Sequence, residues 1–315
     1  MRQINKVLVA GGAGFIGSHL VDFLLKKGIE TIVLDDLSSG SMSNLPKDNE
    51  ILTVSICDIA ENIPVLDNKI DLIYHLASPA CPSLFKTKPD AVLNTNDIGT
   101  RNLLEIAEKN NATLIFTSSS EIYGMQENDT LINENQIANL YSLTSRSCYV
   151  AAKRFAEEII YSFNKKNGIK SRIIRLFNVY GPRMDKNESI YGRVIPNFIK
   201  AAEKNKPLTI FGDGKQIRSF CWIDDIIEAL WLSAISEKFP KKTMNIGKPE
   251  PIAIIDLAEL IIELCESKSK IIFSKKDIDD TLWRCPDISL AEKYLNWKPS
   301  TNLIDGLRSL IKNKS

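Results

Sequence analysis

Tyr149 and Lys153 stand four residues apart in RSCYVAAKRFAEEII, where the apolar spacing predicts a helix over Cys148 to Phe163. Positions i and i+4 share one helix face. An ammonium beside a phenol favours the phenolate and lowers its pKa. Such a pair could take a proton from a hydroxyl while hydride leaves the same carbon for a nicotinamide. A second polar group, Ser118-Ser119-Ser120-Glu121, follows an apolar run at Thr113 to Thr117 that reads as a strand. Ser119 or Ser120 could hydrogen-bond the reacting hydroxyl, and Glu121 could act as acid or base or order the substrate. Alone, a YxxxK pair arises by chance and a serine run is usually a solvated turn. Their meaning depends on the elements that hold them.

The first such element opens the chain. Lys6 to Ala10 (KVLVA) reads as a buried strand running into Gly11-Gly12-Ala13-Gly14-Phe15-Ile16-Gly17, and Phe15 to Lys27 reads as a helix stopped by Gly28. In this GxxGxxG spacing, Gly11 allows the tight turn, Gly14 lets backbone approach a pyrophosphate and Gly17 lets helix pack on strand. The helix N-terminus adds free amide donors and a partial positive charge. Asp35 ends the second strand, 18 residues after Gly17, where a carboxylate can accept from adenosine ribose hydroxyls. A carboxylate there repels a 2′-phosphate and no basic residue follows at once in DDLSSG, so the cofactor expected is NAD rather than NADP. Asp58, after the third strand, could reach the adenine or cap a helix.

Further strands are expected at Thr31 to Leu34, Leu52 to Ser55, Leu72 to Leu76 and Arg172 to Leu176, with a helix over Asp97 to Glu108. Strands alternating with helices predict an α/β, Rossmann-type doubly wound parallel sheet. The strands are continuously apolar, as when both faces are covered. After about residue 178 the alternation fades past Tyr180-Gly181-Pro182, and Lys206 to Gly214 carries a short strand between turn residues. The division expected is a dinucleotide-binding unit at 1–178 plus about 217–247, and a smaller C-terminal substrate-binding lobe from about 179–216 and 248–315.

With 40 basic and 39 acidic residues the net charge is +1, so no global field draws the chain to nucleic acid or a membrane surface. No apolar run approaches the roughly 18 residues of a membrane span, and the N-terminal residues do not read as a signal peptide. Six cysteines without a CxxC pair read as reduced thiols, which suggests the cytoplasm. His19 and His75, the only histidines, sit in apolar stretches and read as structural, so no metal site is expected.

The segments VAGGAGFIGSHL, HLASPACP, TSSSEIYG, RSCYVAAKRFAE, RLFNVYGPRM, YGRVIPNFI, LTIFGDGKQIRSF and RCPDISLAEKYLNWKPS span nearly the whole chain. In this order they resemble the extended short-chain dehydrogenases/reductases, the NAD-dependent epimerase/dehydratase group that acts on nucleotide sugars. Within it, HLASPA, Ser120-Glu121, RSCY, GPRM and RCPDI look most like the UDP-glucuronate decarboxylases, the UDP-xylose synthases. The resemblance implies oxidation of the sugar at C4, loss of the C5 carboxylate from the resulting beta-keto acid, and return of the hydride, with no net redox change. It implies that Phe15, Ile16, Ile59, Leu76, Ala77 and Asn96 join Gly11, Gly14, Gly17, Asp35, Asp58, Tyr149 and Lys153 around NAD. It further implies Arg284 near the reacting carboxylate, Asn178, Arg193 and Arg218 toward the sugar and diphosphate, and the 208–211 segment with Leu208 along the base. A homodimer through the 97–108 and 148–163 helices is implied by the same resemblance. Ser119 stands where the decarboxylases usually carry Thr, and Val150-Ala151-Ala152 where they usually carry Asp-Glu-Gly. A 4,6-dehydratase, a 4-epimerase, a 4-ketoreductase or an idle NAD-binding scaffold therefore remain alternatives.

Overall fold

The computed structural model describes residues 3–66, 69–126, 129–140, 143–144, 146–184, 193–240, 243–275 and 280–312. Tyr191 and Gly192 of the YGRVIPNFI segment and parts of the 125–145 tract lie outside them. In chain order the elements are β1 (Lys6–Ala10), α1 (Phe15–Lys26), β2 (Glu30–Asp35), β3 (Leu52–Ile56), β4 (Leu72–His75), α2 (Pro82–Thr87), α3 (Pro89–Asn96), α4 (Ile98–Asn110), β5 (Thr113–Ser119), α5 (Ser147–Asn167), β6 (Ser171–Leu176), β7 (Val179–Tyr180), α6 (Val194–Glu203), β8 (Leu208–Phe211), β9 (Ile217–Arg218), β10 (Cys221–Trp222), α7 (Ile223–Ile235), β11 (Thr243–Ile246), β12 (Ile252–Ala253), α8 (Ile254–Leu264), β13 (Ile271–Ser274), β14 (Trp283–Arg284), α9 (Ser289–Leu295) and α10 (Leu303–Lys312).

The apolar run of β1 has no wet side. Val7 and Val9 enter one hydrophobic cluster with Leu20 and Leu24 of α1 and Ile226 and Leu230 of α7. Leu8 and Ala10 enter the opposite cluster with Leu103 and Leu104 of α4 and Ala156 and Ile160 of α5. Helices thus cover both faces of a seven-stranded sheet of order β3-β2-β1-β4-β5-β6-β11, paired in parallel throughout. This is the expected doubly wound fold. Strand order reverses between β1 and β4, and the crevice beyond their C-terminal ends is where such sheets take ligands.

Element ends differ from the sequence reading in one way that matters. β5 continues two residues past Thr117, carrying Ser118 and Ser119 in the strand, and a 3-10 turn, Ser120–Tyr123, follows at once. α1 stops as expected: Gly28 takes φ +71° and its N–H donates to the Leu25 carbonyl at 2.9 Å.

Beyond β6 the chain builds three small sheets: β7 with β10, β8 with β13, and β12-β9-β14. Leu257, Ala258, Ile261, Leu307 and Leu310 of this part share the cluster that holds Val7 and Leu20, so one hydrophobic core runs from the main sheet into the C-terminal segment. All six cysteines are free thiols. Among the described residues, no helix is long and apolar enough to cross a membrane, and no group of three or more His, Cys, Asp or Glu side chains could hold a metal.

Candidate active site

The crevice is lined by Gly11, Gly14, Phe15, Ile16, Gly17, Asp35, Asp58, Ile59, Leu76 and Ala77, ten of the residues expected around a dinucleotide. Two glycines have no substitute. Gly11 sits at φ +82°, where a Cβ would lie only 2.6 Å from the Ala77 nitrogen, and a Cβ at Gly17 would collide with the Gly11 carbonyl oxygen. The N-cap of α1, Gly14, offers no side chain to its first turn, so those amides remain to receive an anionic group. The Asp35 carboxylate accepts from the Ala13 N–H and from the Leu37 N–H, both at 2.9 Å. Asp35 therefore holds the glycine loop itself, a role the spacing did not reveal. Burial raises its pKa, with the Leu37 and Ala13 hydrogen bonds opposing. Asp58 accepts from the Ala60 N–H at 2.8 Å, an Asx turn in the crevice wall. Asn96 stands one layer back, donating to the Ser78 hydroxyl at 3.0 Å and to the Val92 carbonyl at 2.8 Å.

Tyr149 lies in the first turns of α5 beside the end of β5, and the Ser119 hydroxyl is its hydrogen-bond partner. Ser119 also accepts from the Glu121 N–H at 3.2 Å. Ser120 is 3% exposed, so Ser119 is the serine at the phenol. Lys153, fully inside the fold, donates to the Thr117 carbonyl at 2.9 Å. Its ammonium lies 4.6 Å from the centre of the Phe116 ring and 6.0 Å from that of Tyr149. The expected lowering of the phenol pKa is not a property of the polypeptide. Burial pushes Tyr149 up to about 12, the Ser119 hydrogen bond opposing and Glu121 adding to the rise. Burial also lowers Lys153 to about 7, opposed by Glu157. A lysine turned toward a carbonyl and itself desolvated does not offset what the phenol loses in leaving water.

Glu121, in the 3-10 turn, is ion-paired to Arg284 of β14 and stands 3.7 Å from Arg146. Burial alone would raise its pKa. The guanidinium groups of Arg284, Arg146 and Arg218 outweigh burial and hold the carboxyl below its ordinary value. Arg218 pairs with Asp280 and sits directly opposite Arg284 in the parallel β9–β14 register. Three guanidiniums thus converge on two carboxylates beyond the C-terminal end of β5. The Arg284 Nε has no hydrogen-bond partner among the described residues.

Three further expectations meet different outcomes. Arg193 lines the crevice. Asn178 is turned to the backbone, donating to the Ser219 carbonyl at 3.0 Å. Leu208, expected along a base, has its side chain in the main core cluster and is 0% exposed. The apolar alternation of β8 buries Leu208 and Ile210 and leaves Thr209 and Phe211 half-buried.

A family model described as the NAD dependent epimerase/dehydratase family matches residues 7–247. The chain belongs to this family. It is an NAD-dependent enzyme of the nucleotide-sugar epimerase/dehydratase type, and the glycine cradle and Asp35 suit that cofactor. UDP-glucuronic acid decarboxylase 6 of Arabidopsis thaliana is 39% identical, with 96% of this chain and 86% of that protein covered. UDP-glucuronic acid decarboxylase 1 of Danio rerio is 37% identical, with 98% and 72% covered. Among solved structures, UDP-N-acetylglucosamine 4-epimerase from Methanobrevibacter ruminantium M1 is 32% identical with TM-score 0.88, covering 99% of this chain and 98% of that one. UDP-glucuronic acid 4-epimerase from Bacillus cereus, in complex with UDP-glucuronic acid and NAD, is 28% identical with TM-score 0.85, covering 98% and 100%.

Several features of this epimerase/dehydratase site do not show in the sequence. Arg146 stands in the RSCY segment, yet its reach to Glu121 depends on how α5 begins. Phe85 of α2 stacks on Tyr149, with ring centres 4.7 Å apart and planes 14° apart. No local pattern announces a contact across 64 residues of chain. Glu157 is within reach of pattern reasoning, since it follows Lys153 by one helical turn.

Proposed function

We propose that this protein decarboxylates UDP-glucuronate to UDP-xylose through a transient ketone at C4. The observation that carries the reading is the convergence of Arg146, Arg218 and Arg284 on Glu121 beside the Tyr149–Ser119 pair. That cluster suits a substrate with a carboxylate on the carbon next to the oxidised one. Two relatives that bear the decarboxylase name, at 39% and 37% identity, support it.

Tyr149 takes the proton of the C4 hydroxyl while Ser119 holds that oxygen. NAD, which the glycine loop and Asp35 would hold, would supply the hydride acceptor for C4 and the donor that restores it, and its positive ring would favour the Tyr149 phenolate. With C4 a ketone, the C5–carboxylate bond lies beta to a carbonyl. Its electron pair moves into the enolate, carbon dioxide leaves, and C5 takes a proton. Arg284 orients the carboxylate before it leaves, and Glu121, released from that guanidinium, orders the sugar. Asp35 accepts from the adenosine ribose, while Arg193, Arg218 and the Asn178 segment face the sugar and diphosphate.

We read residues 1–178 with about 217–247 as the NAD-binding unit and the rest as the sugar-nucleotide lobe. The exposed Ile98 of α4 with Phe155 and Tyr161 of α5, at 42%, 50% and 49%, supports a homodimer through these helices. A cytoplasmic location accords with the free thiols.

Epimerisation at C4 of the same acid is the second reading, favoured by the likeness to the Bacillus cereus uronate epimerase. Mass spectrometry of UDP-glucuronate incubated with the protein and NAD separates them. A UDP-pentose with release of carbon dioxide is expected. An isomer of unchanged mass turns the assignment to the epimerase. An untouched substrate, with folded protein and bound NAD, overturns the acid-sugar reading in favour of a neutral hexose.

A further inference from the structure

Lys153 is 2% exposed. Its ammonium donates to the Thr117 carbonyl of β5 and faces the Phe116 and Tyr149 rings. A buried cation with so little solvation sheds its proton unless a negative charge stands near. The ionisable groups around it come from six elements. His75 of β4 is held neutral, first by burial and then by the Lys153 charge. Tyr149 and Glu157 share α5 with it. Arg175 of β6 lies behind Glu157, and Tyr123 lies behind Arg175. Asp90 of α3 and Arg101 of α4 are exposed, and Arg101 is paired with Asp97 at 2.7 Å.

Glu157 is thus the negative charge inside this shell, and it is fixed in place. Both its carboxylate oxygens are gripped by Arg175, at 3.0 and 2.7 Å. Arg175 also donates to the Tyr123 hydroxyl at 2.9 Å, which donates to the Asn245 side chain at 2.7 Å. Asn245 donates in turn to the Ile132 carbonyl at 2.8 Å. A chain of partnered polar groups therefore runs from β11 through β6 to the face of α5 that carries Lys153. Burying a guanidinium–carboxylate pair brings little stability over an apolar pair, and its position one turn below Lys153 suggests another use.

We propose that Glu157 is a positioning residue for the hydride-transfer reaction: its carboxylate, clamped by Arg175, favours the ammonium form of Lys153 beside Tyr149. The inference rests on the reading of Tyr149 as the base and is independent of which sugar is bound. Arg175 sets where the charge sits, and Glu157 carries the effect to Lys153.

The test uses the full chain with lysine isotopically labelled at Cε, the Lys153 resonance being assigned by its loss in Lys153→Met. Its titration is followed by NMR in the wild type, in Glu157→Gln and in the charge-balanced pair Glu157→Gln with Arg175→Met, which leaves no buried guanidinium without its carboxylate if the single variant fails to fold. Lys153 is expected to lose its proton about one pH unit lower in both variants, and Glu157→Asp, which keeps the charge, to restore most of the wild-type curve. The alkaline limb of the kcat profile should move to lower pH with it, with kcat about tenfold down above that limb. A Lys153 titration unchanged in the double variant overturns the proposal, because a scaffolding pair would alter the melting temperature alone. The NMR readout needs no turnover, so inactivity toward UDP-glucuronate would count against the proposed substrate and leave this result standing.

Discussion

The Phe85 ring lies flat on that of Tyr149, ring centres 4.7 Å apart and planes within 14°. Phe85 is itself 7% exposed, so one face of the phenol is sealed by carbon. This seal contributes to the burial that pushes Tyr149 up to about 12. Phe85→Ala opens that face to water, and the phenol should titrate nearer its ordinary value of about 10. The change also costs about 3 kcal/mol of stability through the cavity it leaves. Ultraviolet difference titration against a Tyr149→Phe reference reads the first effect. An unmoved phenol would show that α5 and β5 alone desolvate it.

On the proposed mechanism, Tyr149→Phe removes the group that takes the hydroxyl proton and leaves the glycine loop untouched. Turnover should fall by at least about a thousandfold, within the range of general-base losses, with the Kd for NAD unchanged. Calorimetric titration alongside a rate assay checks both. Retained turnover would require another base.

Lys153 has a pH signature of its own. Burial holds it at about 7, below its ordinary 10.5. Between these values the unfolded chain binds a proton that the folded chain does not, so this group's contribution to stability rises with pH across that window. Below about pH 7 both states hold the proton and the full cost of the buried charge is present. Lys153→Met should therefore melt higher than wild type near pH 6, with the gap closing toward pH 10, while activity is largely lost. Thermal melts across that range decide it; a gap that widens with pH would contradict the assignment.

The parts of this molecule legible in its sequence are those written in short-range periodicity. The run KVLVA followed by glycines at 11, 14 and 17 declares a strand, a tight turn and a helix whose geometry is local. Tyr149 and Lys153 are legible because one helical turn separates them. The second role of Asp35, holding the Ala13 N–H, is hidden because it depends on the loop folding back over β2. Likewise Glu121 meets Arg284 only through the closing of β14 against β9, and Phe85 reaches Tyr149 across a helix boundary. Leu208 is placed along a base only by resemblance to the family, whereas the alternation in β8 sends its side chain into the core. The depressed phenol pKa expected from the Tyr-Lys spacing leaves out burial, which acts on both side chains at once.

Asp35 holds the glycine loop, and the proposed reading gives it the adenosine ribose as well. Removing its carboxylate leaves the buried Ala13 N–H without its acceptor, a loss of about 1–3 kcal/mol, and deletes the charge that repels a 2′-phosphate. Asp35→Ala should unfold at lower denaturant, bind NAD at least about tenfold more weakly, and discriminate less between NAD and NADP. An unchanged ratio of the two affinities, measured by calorimetry, would restrict Asp35 to holding the loop.

Arg284 pairs with Glu121, and on the proposed decarboxylation the acidic substrate would compete with Glu121 for it. It is 4% exposed, so Arg284→Gln removes a buried positive charge and leaves Glu121 with Arg146 and Arg218 only. Glu121 is held below its ordinary pKa by these cations against the opposing effect of burial. A depressed carboxyl stabilises the fold above its unfolded value and loses that contribution as pH falls through the folded one. The variant should therefore be less stable than wild type at neutral pH, by about 3 kcal/mol if the pair is as desolvated as its burial suggests. The deficit should shrink in acid, where both proteins carry a protonated Glu121. With UDP-glucuronate, kcat/KM should fall by roughly a hundredfold, since a charge-assisted contact of about 3 kcal/mol is lost. A neutral hexose nucleotide, offered for binding only, should lose far less. Equal losses for the acidic and the neutral nucleotide would mean that Arg284 serves the nucleotide, and the carboxylate would then have to be sought at Arg146.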